Sequence, residues 1–260
     1  MTNKPYLVDS HCHLDRLDLK AFDGSLDAAL DDARANGVGH MLCVCIDLDN
    51  FKDVLSIAKA NDDISASVGI HPNDEVEHEP DADELIKLAS DPDVVAIGET
   101  GLDYFRSKGD LEWQRERFRQ HIAAGKGSKK PLIIHTREAR DDTLKVMKEE
   151  NAADIGGVMH CFTEDWDMAK QALDMNFYIS FSGIVTFKSA EQLMEVAKQV
   201  PEDRILIETD SPYLAPVPFR GKTNYPSYVR YVAEHIANLR GTTIERMAEV
   251  TTRNYHQLFG

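Results

Sequence analysis

Three observations predict an α/β chain folded as a (β/α)8 TIM barrel. Eight short apolar runs alternate with segments of helical periodicity. The 260 residues match the usual length of such a barrel, held as one domain over 1–260. Histidines and carboxylates punctuate the apolar runs at their C-terminal ends, where barrels of this kind carry their chemistry. No linker, low-complexity tract or shift of composition interrupts the pattern.

Taken in order, the strands fall at 6–10, 40–46, 64–70, 94–98, 132–135, 157–160, 177–181 and 204–208. A helix over 21–36 has Phe22, Leu26, Ala29, Leu30 and Ala33 on one face, with Gly37 after its end. Asp49 or Asn50 caps a helix reaching Ala60. Further helices read at 83–90, 112–126, 141–150, 165–175 and 189–199, and helices fill the tail to Phe259. The stretch 100–111 reads as a loop, and 212–226 as a Pro-rich loop.

A hydrophobic share of 42% and a charged share of 28% are those of an ordinary globular protein. Residues 1–5 hold no apolar leader core, and no apolar run nears the roughly 18 residues of a membrane span. Cys12, Cys43, Cys45 and Cys161 lie in or beside strands without disulfide-scaffold spacing, which suits a reducing cytoplasm. Cys43 and Cys45 could pair on a metal, but buried strand thiols are the better reading. The formal net charge of −16 excludes broad electrostatic capture of nucleic acid. It leaves room for an enzyme that grips one or two phosphates through bound metal ions. No membrane and no obligate protein partner is expected.

The punctuating residues are His11 and His13 after strand one, His71 after strand three, Glu99 after strand four, His135 and His160 on strands five and six, and Asp210 after strand eight. His11 and His13, two apart, leave the same face of a strand and form a divalent-metal claw. Without His71 there are four imidazoles and two carboxylates, more than one closed mononuclear site needs. Two divalent ions with positions open to water fit that set. Glu99, across the barrel from strand one, is the carboxylate assigned to bridge them. His11, His13, Glu99 and Asp210 would hold one ion, and Glu99, His135 and His160 the other. Among Zn, Mn, Ni, Fe and Mg, imidazole-rich ligation favours the first four.

The motifs Asp9-Ser10-His11-Cys12-His13-Leu14-Asp15, Gly69-Ile70-His71-Pro72, Gly98-Glu99-Thr100-Gly101-Leu102-Asp103-Tyr104, His135-Thr136-Arg137, His160-Cys161-Phe162 and Glu208-Thr209-Asp210-Ser211-Pro212-Tyr213-Leu214-Ala215-Pro216 run through the whole chain. Together they resemble the TatD-type metal-dependent hydrolases of the amidohydrolase superfamily, the YcfH-like branch in particular. Glu99 stands where many members of that superfamily carry a carboxylated lysine, as in the TatD branch. The resemblance implies a TIM barrel and a divalent-metal-dependent deoxyribonuclease, often exonucleolytic, with single-stranded DNA or strand ends as substrate.

A metal pair lowers the pKa of water toward ~7, and Asp210 is read as both ligand and general base. Arg137, two past His135, reads equally as a phosphate-gripping guanidinium or as a loop anchor. His71 would contact phosphate or protonate the leaving oxygen, its alternative being a brace for the Pro72 turn. Asp9 and Glu208, each two before a ligand, should point inward and orient metal-bound imidazoles. Asp103 reads as loop structure, and His40, His78, His121, His235 and His256 as surface or helix-face residues. Two other classes stay open: an amidohydrolase acting on a small amide, lactone or phosphoester, and a non-enzymatic binding barrel. The loops 100–111 and 212–226 would decide the first by leaving a groove or closing a lid.

Overall fold

Eight strands form one sheet in the order β1 to β8, every neighbouring pair parallel. They are β1 (Leu7–Cys12), β2 (Val38–Cys43), β3 (Ile64–Val68), β4 (Val94–Asp103), β5 (Leu132–Arg137), β6 (Gly157–Met159), β7 (Phe177–Phe181) and β8 (Ile205–Ile207). The seam closes just past β8, where Asp210 N–H donates to the His11 carbonyl and His13 N–H to that of Ser211, at 2.9 and 2.8 Å. This computed structural model describes residues 5–260. Most of the N-terminal stretch read for a leader, 1–4, lies outside the described residues.

The helices α1 (Leu26–Ala35), α2 (Phe51–Ala60), α3 (Ala82–Leu88), α4 (Glu112–Ser128), α5 (Arg140–Glu149), α6 (Trp166–Asp174), α7 (Glu191–Gln199), α8 (Val229–Leu239) and α9 (Ile244–Phe259) follow the strands in turn. Several start where a short polar side chain satisfies a free backbone N–H. Asp81 and Glu84 form a reciprocal capping box on α3, and Asp165 and Thr243 cap α6 and α9. The expected helix over 21–36 is shorter. A 3-10 turn over Leu19–Phe22 precedes Asp23 and Gly24, both at positive φ, and Ser25 then caps α1. The Asp23-Gly24-Ser25 punctuation outweighs the helical spacing of Phe22.

Val8, Leu42, Val44, Ala96, Ile133, Val158, Tyr178 and Leu206 pack into one cluster with Tyr255 and Phe259 of α9. Residues from seven strands can meet only inside the barrel, so this cluster is its interior. Two residues further along three of these strands stand His135, His160 and Glu208. Strand parity thus stacks the polar residues one layer above an apolar floor. The complementary residues of the strands join the larger cluster with the helices.

β4 departs most from the sequence expectation. It runs through Glu99 to Asp103 instead of ending at Gly98, and pairs Thr100, Gly101, Leu102 and Asp103 with Ile134, His135, Thr136 and Arg137. Gly98 and Gly101 look like strand breakers in a sequence. Here they sit at φ of +142° and +136° where β4 and β5 nearly touch. A Cβ on Gly101 would stand 2.0 Å from the His135 carbonyl oxygen. Glycine is the residue that permits this approach and this φ. No helix among the described residues is long and apolar enough to cross a membrane. The four cysteines are free, and Cys45, its thiol pushed up to about 12 by burial, donates to the Asp47 carbonyl. They are buried or half-buried thiols, as the spacing suggested.

Gly101→Ala should therefore lower stability by at least about 2 kcal/mol in urea unfolding, from the forced φ and the backbone clash together. Wild-type stability in this variant would show that β4 does not need the close approach.

Candidate metal centre

The C-terminal mouth of the barrel gathers His11, His13, His71, Glu99, His135, His160 and Asp210. The Glu99 carboxylate stands in the middle and is almost fully buried. Its Oε1 lies 2.8 Å from His160 Nε2, 3.0 Å from His135 Nδ1 and 3.6 Å from His71 Nε2. Its Oε2 faces the other side, 3.3 Å from His11 Nε2 and 3.9 Å from His13 Nε2. Asp210 Oδ1 completes that side, 3.3 Å from His13 Nε2 and 3.7 Å from His11 Nε2. The two oxygens of one carboxylate thus face two sets of imidazoles, which meet where the His11 and His160 rings stack at 3.9 Å.

Three of the imidazoles are aimed by what their outer nitrogens touch. His13 Nδ1 donates to the Val44 carbonyl at 2.9 Å. His160 Nδ1 lies 3.3 Å from Glu208 Oε1, which also accepts from Cys161 N–H. His135 Nε2 lies 3.3 Å from Asp103 Oδ2. In each case the outer nitrogen is tied to an acceptor, and the inner nitrogen, whose proton a metal ion would displace, faces Glu99 or Asp210. Asn73 N–H donates to His71 Nδ1, so neutral His71 carries its proton on Nε2.

His11 is different: both its ring nitrogens are buried and neither has a hydrogen-bond partner. A buried polar atom without a partner is costly unless something absent from the chain satisfies it. Two ligand atoms each about 2.1 Å from one ion stand roughly 3.0–3.4 Å apart. The 3.3 Å separations from His11 to Glu99 and from His13 to Asp210 match that figure. Neutral imidazoles with free lone pairs around carboxylates are a donor set for divalent cations, so the residues present fit such ions.

The electrostatics agree. Burial alone would raise the Glu99 carboxyl, but His160, His71, His11 and His135 hold it well below the usual carboxylate range. Burial would lower His160, yet Glu99 and Glu208 raise it well above an ordinary imidazole. His13 and His135 are raised against burial by their carboxylate neighbours. His71 goes the other way, to about 3, because burial and the imidazoles of His135 and His160 outweigh Glu99. Its ring is therefore neutral at ordinary pH and suits a hydrogen-bond donor better than an acid.

Some residues sit differently from the sequence expectation. Asp9 does not orient an imidazole: its carboxylate accepts from Thr209 N–H at 2.8 Å and Thr209 Oγ1 at 2.5 Å, with a weak contact to His11 N–H. It ties β1 to the segment after β8, and burial pushes it up to about 8 despite those bonds. Arg137 does not depart from expectation: it is exposed and lies over the Phe105 ring, its Cζ 3.8 Å from the ring centre, a position compatible with the loop-anchoring alternative. Asp103 does more than loop work. Besides His135 it accepts from Asn73, Phe105 N–H and Arg106 N–H. Extending β4 by parity through Gly101 would have found it. His121 is buried: Nδ1 donates to the Arg117 carbonyl and Nε2 accepts from Ile70 N–H. Asp210 and Cys161, at φ of 56° and 42°, lie in the left-handed region at this mouth, where backbone strain tends to collect at functional sites. An open depression of about 640 Å³, lined by Tyr178, Glu202, Asp203, Arg204, Arg253 and Gln257, carries no imidazole.

Residues 8–260 match the family described as TatD related DNase. The chain belongs to the TatD family. It is 49% identical over 255 residues, 98% of its own length and 96% of the relative's, to YcfH of Escherichia coli (strain K12), described as an uncharacterized metal-dependent hydrolase. YabD of Bacillus subtilis (strain 168), described likewise, is 43% identical and covers 97% of this chain and 98% of its own. Among crystal structures, that of YjjV, a TatD homolog from Escherichia coli K12, superimposes with a TM-score of 0.87 at 26% identity, covering 97% of each chain. A TatD family hydrolase from Entamoeba histolytica shares the fold at a TM-score of 0.85 and 23% identity, over 98% of each chain. This TatD-family chain is thus a metal-dependent hydrolase with a cluster able to hold ions.

Because His160, His13 and His135 are raised by their carboxylates, ions must displace protons from them. Metal affinity should rise with pH through the neutral range. Calorimetric titration of the chelated protein in buffers of different ionisation enthalpy should record about one or more protons released per ion near pH 7. Uptake without proton release would mean that the imidazoles are not the ligands.

Proposed function

We propose that this TatD-family chain is a deoxyribonuclease, a single barrel acting over 1–260, that hydrolyses DNA phosphodiester bonds from strand ends in the cytoplasm. The observation that carries the reading is the two-sided contact of Glu99, which supports two divalent ions. His11, His13, Glu99 and Asp210 would hold one, and Glu99, His135 and His160 the other. Ions there would supply Lewis acidity, namely an acidified water and positive charge against phosphoryl oxygens.

The chain's own residues do the rest. Asp210, raised by burial but lowered further by His13, His11 and His160, is ionised at neutral pH and can take a proton from water on Oδ1 or Oδ2. His71, neutral with its proton on Nε2, donates a hydrogen bond to a phosphoryl oxygen. Arg137 offers a guanidinium two residues past His135, where it can meet phosphate charge. Glu208 and Asp103 hold the His160 and His135 rings in orientation.

The openness of the site supports a long substrate over a small amide, lactone or phosphoester. The side chains of His135, His71 and Asp210 keep 18%, 16% and 14% exposure. The Pro-rich loop is pinned back by Asn224 Nδ2, which donates to the Thr209 and Tyr213 carbonyls. Phe219 stacks on Tyr228 at 4.2 Å and meets Tyr231 of α8 edge-on at 5.1 Å, which braces the same loop against α8. A lid that closes over a small molecule would need this loop free.

The reading is tested by hydrolysis of single-stranded oligonucleotides, each end blocked in turn, across several divalent metals. Chelated protein that still cleaves would sink it. Asp210→Asn should lower kcat roughly 10²–10⁴-fold, the usual worth of general-base assistance, while keeping most of its metal. A kcat and metal content that fall in proportion would reduce Asp210 to a ligand.

A further inference from the structure

Two exposed aromatic residues stand on loops at opposite sides of the mouth. Among the described residues the large apolar side chains left exposed are Tyr6, Phe105, Trp113, Tyr213 and Val217. Tyr213, 50% exposed, and Phe105, 47% exposed, are the most open of the rings. Tyr213 follows β8 and Phe105 follows β4. In a ring of eight strands these are four steps apart, so the two loops lie on opposite sides of the centre.

Each ring is fixed to one half of the candidate centre. Tyr213 is three past Asp210, and its ring meets that of His13 edge-on at 6.0 Å. Its N–H donates to the Asp210 carbonyl at 2.9 Å, and its own carbonyl accepts from Asn224 Nδ2 at 2.6 Å. Phe105 N–H donates to Asp103 Oδ1 at 3.0 Å, and the other oxygen of that carboxylate faces His135. The Arg137 guanidinium lies over the Phe105 ring. Both rings are therefore held in place, half in solvent, beside the carboxylates and imidazoles, and not folded into the core. A ring fixed this way is a ready stacking surface that loses little freedom when a flat group lands on it.

The charge balance says what such surfaces are for. With 45 acidic against 29 basic residues, the chain has little with which to track a phosphate backbone. Stacking is the other sequence-tolerant source of strand affinity, since every base has a π-face. Bases inside a duplex already cover one another's faces, so an unpaired stretch of strand is what can offer bases to both rings.

Building on the nuclease reading with single-stranded DNA as the substrate, we infer that Phe105 and Tyr213 are the stacking surfaces for the bases flanking the scissile phosphate, the strand lying from β4 to β8.

The test uses the metal-loaded full chain and single-stranded DNA of one length, intact or lacking the base on one or the other side of the cleaved bond. Removal of either base should raise KM about tenfold for the wild type, within the range that base stacking on a ring supplies. Tyr213→Ala and Phe105→Ala should each raise KM for the intact strand by a similar factor. Each should then be indifferent to loss of one of the two bases, and to a different one. Tyr213→Phe, which keeps the ring, should recover the wild-type response to base removal. Wild-type cleavage of intact strands without any base dependence would overturn the stacking while leaving the nuclease reading in place. Losses from variant and missing base that simply add would overturn it too. A metal-loaded protein that cleaves no DNA would end both.

Discussion

The site depends on one carboxylate held where carboxylates are costly. Glu99 is buried at the barrel mouth with imidazoles on both of its oxygens, 2.8–3.0 Å away on one side and 3.3–3.9 Å on the other. An ionised carboxylate taken out of water survives only with compensating partners, and in the chain alone those partners are imidazole N–H groups, protonated in the case of His160. The same crowding depresses Glu99 and raises His160. Divalent ions held by these residues would relieve it without protons, the imidazoles lending them lone pairs. The orphaned ring of His11 is the clearest sign that the chain alone does not complete this arrangement.

That placement is built by the backbone of β4. Glu99 lies between Gly98 and Gly101, and both glycines let β4 lie against β5 more closely than any side chain would allow. The close approach brings Asp103 to the outer nitrogen of His135 and Glu99 to its inner one. One stretch of strand therefore sets both the carboxylate and the orientation of an imidazole beside it. Across the barrel, Asp9 bonded to Thr209 fixes the seam that carries His11, His13 and Asp210. The two halves are thus positioned by different devices, a pair of glycines on one side and a buried acid–threonine clasp on the other.

The eight strands, their parallel order and the gathering of polar residues at one mouth were legible in the sequence, because period-two patterning and strand ends are local features. What escaped is non-local. Glycine in isolation signals a break, so the last residues of β4 read as loop, and Asp103 with them. The clasp of Asp9 on Thr209 joins residues two hundred apart in the chain and exists only once the barrel closes. The histidine of α4, His121, sits in a strongly charged helix and looked exposed. Its burial depends on the N–H of Ile70 arriving from β3's end to satisfy it. The Val44 carbonyl that aims His13 could not be read at all, since a backbone acceptor has no residue type.

The central claim is that Glu99 joins two ions, one to each oxygen. Diffraction from crystals grown with manganese or zinc, collected at the absorption edge of the metal, tests it directly. The account predicts two anomalous peaks about 3.5–4 Å apart, the separation usual in two-metal sites, one beside His11 and His13 and the other beside His135 and His160. A single peak, or a pair in which Glu99 contacts only one ion, would contradict it.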